Sequence, residues 1–117
     1  MKIQTAPSKT EVVEELVKTF DSKFFKTLSE PVRVQIIKFI LLNGRADIGT
    51  IADHMPQDRS VISRHLSLLY EVGILNCEKE NRHVFYEING QAFIEKLENI
   101  TEQIRKSIPE CCPSCLT

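Results

Sequence analysis

The sequence has no hydrophobic run long enough to cross a membrane. Its most apolar stretch, Val34–Leu42, is interrupted by Gln35 and Lys38 and is too short to span a bilayer. The first residues of the chain also lack the apolar run of a secretion signal. We therefore expect a cytoplasmic protein, in which cysteine thiols stay reduced.

The sequence also has no excess of charge of one sign and few glycines. Its 15 basic and 16 acidic residues give a net charge of -1, which does not indicate a nucleic-acid-binding protein. If DNA is the partner, the positive charge must be local and the acidic residues must face elsewhere. The 4 glycines are scattered, and we find neither a phosphate-binding glycine loop nor an acid–base constellation. These absences argue against an enzyme.

What the sequence does contain is a succession of helical patterns followed by one change of period. Its 117 residues, 42% of them hydrophobic, suit a single foldable domain. Apolar spacing of three and four predicts helices over residues 10–28, 29–43, 48–54, 58–72 and 90–107. Alternation over 74–80 and 83–88, around Asn81-Arg82, predicts a β-hairpin.

End signals refine these boundaries. Ser29, Asp47, Asp58 and Asn89 are predicted N-caps. Gly44 and Gly73 are expected to stop their helices, and Pro109 to end the last one. The predicted fold is mainly α with a small β-hairpin, a winged helix-turn-helix in the order α-α-α-α-β-β-α. We expect an N-terminal tail over 1–9, this domain over 10–108 and a cysteine-rich tail over 109–117.

The fourth predicted helix carries two different stripes. Ile62, Leu66 and Leu69 form an apolar stripe. The stripe beside it consists of serines and arginines. Such a low, basic surface can enter a major groove, where serines contact phosphates and arginine pairs with guanine. An ordinary solvated helix face is the alternative. The tip of the predicted hairpin is a second candidate contact, because Lys79, Arg82 and His83 lie there, although Glu78 and Glu80 lie beside them. The candidate DNA-binding residues are therefore Gln57, Arg59, Ser60, Ser63, Arg64, Ser67, Lys79 and Arg82. His65 is expected to be a structural, hydrogen-bonded histidine.

Two segments of the chain, Phe25–Arg33 and Asp58–Leu75, resemble the ArsR/SmtB family of metal-responsive repressors, and the likeness extends over roughly residues 20–105. The resemblance implies a homodimeric winged-helix protein with its first and last helices at the dimer interface. It also implies binding to double-stranded operator DNA and release when an inducer binds.

Three of the 4 cysteines, Cys111, Cys112 and Cys115, lie within the last seven residues. Clustered cysteines in a cytoplasmic chain indicate a metal or redox site. Two sites known in the family have no counterpart here, because Asp47–Ala52 lacks a cysteine and Gln91–Lys106 lacks a histidine. Three thiolates suit trigonal As(III) or Sb(III), our first choice of inducer, whereas Cd, Zn or Cu(I) are alternatives. Cys77 is expected to be a small buried residue.

Three other interpretations stay open. The tail could form a disulfide or persulfide and make the protein a redox sensor. Its Cys-x-x-Cys spacing could belong to a thiol enzyme, although no thioredoxin-like context surrounds it. The domain could also bind a protein rather than DNA, which the near-neutral charge favours.

Overall fold

The computed structural model describes residues 8–111 and residue 114. The helices are α1 Lys9–Phe20, α2 Lys23–Leu28, α3 Pro31–Asn43, α4 Ile48–Asp53, α5 Arg59–Glu71 and α6 Gly90–Cys111. The strands are β1 Ala46–Asp47, β2 Leu75–Glu80 and β3 His83–Ile88. The α4–turn–α5 segment followed by the β2–β3 hairpin is the predicted winged helix-turn-helix.

The three strands form one antiparallel sheet in the order β1-β3-β2. The hairpin register pairs Cys77 with Tyr86 and Glu80 with His83. Asn81, the first residue of the two-residue turn, has φ 56°, a left-handed conformation that asparagine adopts readily. The short strand β1, which pairs Ala46 with Tyr86, was not predicted, because two residues carry no detectable alternation.

Contacts divide the chain into two compact units. Among the described residues, the largest fully buried side chains belong to the unit formed by residues 23–94: Ile36, Ile40, Ile51, Ile62, Leu66, Leu69, Ile74 and Leu75. The other unit joins the segments before Lys23 and after Ile94. Within it, the Thr19 hydroxyl donates to Oε1 of Gln103 over 2.6 Å and links α1 to α6.

Most predicted helix ends are confirmed. Asp47 accepts a hydrogen bond from the Thr50 amide at the start of α4, and Asn89 accepts one from the Ala92 amide at the start of α6. Gly44 ends α3 with φ 78°, a conformation that favours glycine. Asp58 occupies the N-cap position of α5, but its side chain makes no capping hydrogen bond.

The prediction of one helix over 10–28 is wrong, because the chain turns between α1 and α2. The Asp21 amide donates to the Val17 carbonyl, and the Ser22 amide donates to the Thr19 carbonyl, which closes α1 in a tight turn. Asp and Ser favour such local turns over continued helix. The apolar spacing resumes in α2, so periodicity alone could not detect the break.

Two further end signals were also wrong. Ser29 does not cap α3; its hydroxyl donates to the Lys26 carbonyl near the end of α2. Glu30 caps α3 instead, since its carboxylate accepts from the Arg33 amide. Pro109 does not end α6, which continues to Cys111. Pro109 cannot donate a hydrogen bond to the Arg105 carbonyl and its ring crowds that carbonyl, but only two residues of the helix follow it.

Within the described residues, no helix has the length and apolarity needed to cross a membrane.

Candidate nucleic-acid interface

Helix α5 has the two faces that its sequence predicts. Ile62, Leu66 and Leu69 are fully buried, and this apolar face fixes the helix on the core. The exposed predicted residues are Arg59, Ser60, Arg64 and Ser67, whereas Ser63 is half-buried. Both arginines are exposed and neither forms an ion pair with another described residue, which leaves their guanidinium donors available for a ligand.

Arg33 of α3 secures α5 from the side opposite its exposed stripe. Its Nε donates to the Thr27 carbonyl over 2.6 Å, and its Nη1 lies 3.2 Å from Nδ1 of His65 on α5. This hydrogen bond agrees with the structural role expected for His65. At the end of α5, Glu71 pairs with Lys23 of α2.

The wing, β2–β3 with its turn, separates its charges onto two faces. Side chains alternate along β2, so Glu78 and Glu80 share one face and Lys79 lies on the other. Tyr86, which stands on the Lys79 face of the sheet, is buried and interacts with Ser67 of α5. The Lys79 face is therefore the one that packs on α5. Lys79 and the turn residue Arg82 are both exposed, at the tip of the wing.

Arg45 forms ion pairs with Glu78 and Glu80 on the other face of the wing, which we call the outer face. Its Nη2 lies 2.9 Å from Oε1 of Glu80 and 3.7 Å from Oε2 of Glu78. Its Cζ stacks 3.9 Å from the centroid of the Phe85 ring, which is a cation–π contact. The sequence suggested that the glutamates weaken a basic wing, but the structure places them away from Lys79 and beside a compensating cation.

His83, predicted to lie at the wing tip, also stands on the outer face. Its Nδ1 is 3.2 Å from Oδ2 of Asp47. The pKa of Asp47 is lowered, first by hydrogen bonds from the Thr50 side chain and backbone and then by His83. Asp47 thus joins the start of α4 to the start of β3, a contact that no local sequence signal reveals.

Cys77 is exposed, so the expectation of a buried residue is wrong. It lies opposite Tyr86 in the hairpin register. Burial, together with the neighbouring Cys77 thiol, raises the pKa of Tyr86 to about 12. The phenol, rather than the thiol, fills the space between the sheet and α5.

Gln57 lies in the turn between α4 and α5 and is half-buried. Its Oε1 is shielded from solvent and has no hydrogen-bond partner among the described residues. Gln57 is therefore separated from the exposed α5 stripe by one residue in the chain and has one acceptor unused.

The structure describes only the first residue of the predicted thiol site. Cys111 is the last residue of α6, whereas Cys112 and Cys115 lie outside the described residues. Over the part of the chain that is described, no three His, Cys, Asp or Glu side chains are grouped to hold a metal ion.

Comparison with known proteins agrees with this geometry. Residues 30–76, which include α3, α4 and α5, match the bacterial regulatory proteins of the arsR family. An HTH-type transcriptional regulator of Methanocaldococcus jannaschii is 33% identical over 67 residues, which are 57% of this chain and 75% of that protein. A homolog of the cadmium resistance transcriptional regulatory protein in Staphylococcus aureus is 31% identical over 60% of this chain and 58% of its own length.

Solved structures show the same fold. A possible transcriptional regulator for arsenical resistance has a TM-score of 0.58 and 26% identity, over 68% of this chain and 80% of that one. A homodimeric winged helix-turn-helix DNA-binding domain from Mycobacterium bovis also gives 0.58, at 15% identity over 94% of both chains. The chain therefore belongs to the arsR family of bacterial regulatory proteins, as a winged helix-turn-helix transcriptional repressor and not an enzyme.

Proposed function

We propose that this protein binds double-stranded operator DNA with α5 in the major groove and the wing tip against adjacent phosphates. The observation that carries this proposal is the exposed stripe of α5, on which Arg59 and Arg64 make no ion pair with a described residue. The eight side chains proposed to contact DNA are Gln57, Arg59, Ser60, Ser63, Arg64, Ser67, Lys79 and Arg82. Such binding places the protein in the cytoplasm, with the DNA.

A homodimer is part of the same proposal. Val17 on α1 and Leu97 and Ile104 on α6 are 56%, 42% and 36% exposed, and burying these apolar side chains against a second copy would stabilise a dimer. The similar winged-helix domain of Mycobacterium bovis is a homodimer, which supports the same state here. Two copies joined through α1 and α6 would present two α5 helices to a palindromic site, as winged-helix dimers do.

The salt dependence of binding tests the DNA proposal. The probe is a labelled duplex of about 30 base pairs, long enough for two half-sites and selected from a random-sequence pool by repeated binding. Affinity, measured by fluorescence anisotropy, should fall steeply from about 50 to about 200 mM KCl, because each phosphate contact releases bound counterions. Failure to select any duplex, or a flat salt response, would contradict the proposal and favour a protein partner.

For the inducer, we propose a thiophilic ion held by Cys111, Cys112 and Cys115, with As(III) or Sb(III) preferred over Cd, Zn or Cu(I). What supports it is the spacing of the three cysteines, which fall within five residues of the sequence from Cys111, the last residue of α6. The relatives named for cadmium and arsenical resistance are consistent with metal sensing on this fold. The ion must favour a state with lower DNA affinity, since equal affinity for both states would release nothing.

The inducer experiment uses the reduced protein bound to the selected duplex. Arsenite, antimonite, cadmium, zinc and copper(I) are titrated separately, and release is followed by anisotropy. Replacing Cys111, Cys112 and Cys115 with serine should preserve DNA binding and abolish release, whereas the matched control Cys77→Ser should behave as the wild type. Arsenite-driven release from the triple variant would exclude the tail. Release by oxidant alone, reversed by a dithiol, would assign the tail to redox sensing.

A further inference from the structure

The outer face of the wing poses an electrostatic problem for a DNA-binding protein. Glu78 and Glu80 lie on β2, close in sequence to the two exposed cations of the wing tip, Lys79 and Arg82. Carboxylates within a Debye length of bound DNA, about 8 Å at physiological salt, repel its phosphates. In such a wing, the carboxylates must point away from the DNA and their negative charge must be compensated.

The alternation of side chains along β2 directs the two carboxylates to the outer face, and Arg45 supplies the compensating charge. Its guanidinium lies against both carboxylates, 2.9 Å from Glu80 and 3.7 Å from Glu78, and is stacked on Phe85. Arg45 precedes β1, the glutamates are on β2 and Phe85 is on β3, so one side chain connects all the strands of the sheet. A planar fork stacked on an aromatic ring can hold two carboxylates in this way, whereas a lysine ammonium lacks both the plane and the paired donors.

Stability alone does not account for the arrangement. Both glutamate side chains are more than half exposed and that of Arg45 is one-third exposed. Ion pairs with this much solvent exposure contribute little to folding. The arrangement does, however, place one positive charge beside the two negative charges that stand close to the wing tip.

We propose that Arg45 is a positioning residue for DNA binding, which acts without contacting DNA by fixing and neutralising the carboxylates of Glu78 and Glu80 on the outer face of the wing. This inference rests on the proposed DNA-binding function. It predicts that the effect of Arg45 on affinity passes through the two glutamates and disappears when they are neutral.

A mutant cycle on the full-length protein tests this prediction. The variants are Arg45→Met, Glu78→Gln with Glu80→Gln, and the combination of all three, with Arg45→Lys as the conservative form. The probe is the labelled duplex pool of random sequence, so no knowledge of the operator is needed. We expect Arg45→Met to weaken binding about threefold to tenfold near 100 mM KCl, as expected for uncompensated charge at a DNA surface. In the background with both glutamines, the same substitution should change affinity less than about twofold.

The salt slope and the melting temperature separate the other outcomes. If Arg45 contacts a phosphate itself, Arg45→Met will lose the same affinity in both backgrounds and the slope will decrease by about 0.9. That result, or an unchanged affinity in Arg45→Met, overturns the proposal. If Arg45→Met lowers the melting temperature, Arg45→Lys, which retains the charge, must still bind more tightly than Arg45→Met for the proposal to stand. Wild-type protein that binds no duplex would refute the DNA-binding function itself, which the Arg45 variants do not test.

Discussion

Nη1 of Arg33 lies 3.2 Å from Nδ1 of His65, and this contact joins α3 to the middle of α5. A guanidinium group has only donors, so Nδ1 of His65 is the acceptor and the ring proton is on Nε2. The same arginine donates to the carbonyls of Thr27 and Lys26 at the end of α2. One side chain therefore ties the carboxyl end of α2 to the helix that carries the candidate DNA-binding residues.

Loss of this contact should destabilise the fold. We expect Arg33→Ala to lower the free energy of unfolding by about 1–3 kcal/mol, because a charged donor and its part-buried acceptors are separated. Urea denaturation followed by circular dichroism measures the change. Arg105→Ala is the matched control, since Arg105 is exposed and its ion pair is with Glu102, one turn away on the same helix. Equal stability of the two variants would show that Arg33 does not support α5.

The hydrogen bond between Thr19 and Gln103 gives a second stability prediction. Thr19→Val keeps the shape of the side chain and removes the donor, so we expect a loss of about 1 kcal/mol and a lower melting temperature. Thr101→Val is a suitable control, because the Thr101 hydroxyl donates to the Leu97 carbonyl of its own helix. A wild-type melting temperature in Thr19→Val would show that this bond does not hold α1 to α6.

Asp47 makes stability depend on acid pH. Its pKa is lowered from 3.8 in the folded protein by the Thr50 hydrogen bonds and by His83. The stabilisation is therefore fully present above 3.8 and is lost as the pH falls through the lower, folded value. Asn in place of Asp47 keeps a capping oxygen but no charge. We expect the melting temperatures of wild type and Asp47→Asn to differ at neutral pH and to converge in acid; a constant difference would contradict this role.

Tyr86 should make the stability of the fold depend on pH in the alkaline range. Its pKa is raised from 10.0 to about 12, first by burial and then by Cys77, so the neutral phenol is the form that the fold favours. Its contribution to stability is complete below 10.0 and is lost as the pH rises towards about 12. Tyrosinate absorbance of the wild type should contain a late transition that Tyr86→Phe lacks. A wild-type curve that differs from that of Tyr86→Phe only in amplitude, with no late transition, would show that Tyr86 is solvated.

Much of the fold could be predicted because its signals are local. The periodicity of α5 separated Ile62, Leu66 and Leu69 from the exposed arginines, and Asp47 and Asn89 marked the starts of their helices. The break between α1 and α2 escaped detection because the apolar spacing continues across it.

The contacts that organise the wing could not be predicted. Arg45 and Glu78 are far apart in the sequence and meet only through the strand order β1-β3-β2. The same is true of Asp47 and His83. The exposure of Cys77 follows from the size of Tyr86, which takes the buried position on that face. Side-chain partners set by sheet topology are beyond periodicity and turn signals.

The affinity of Arg64→Ala for the selected duplex, compared with that of Arg105→Ala, tests the central claim most directly. Both substitutions remove one exposed arginine, and only the first lies on the α5 stripe. We expect Arg64→Ala to weaken binding about tenfold or more and Arg105→Ala to change it less than about twofold, as expected for loss of an arginine that reads a base. Equal affinities of the two variants would contradict the assignment of α5 as the helix that reads DNA.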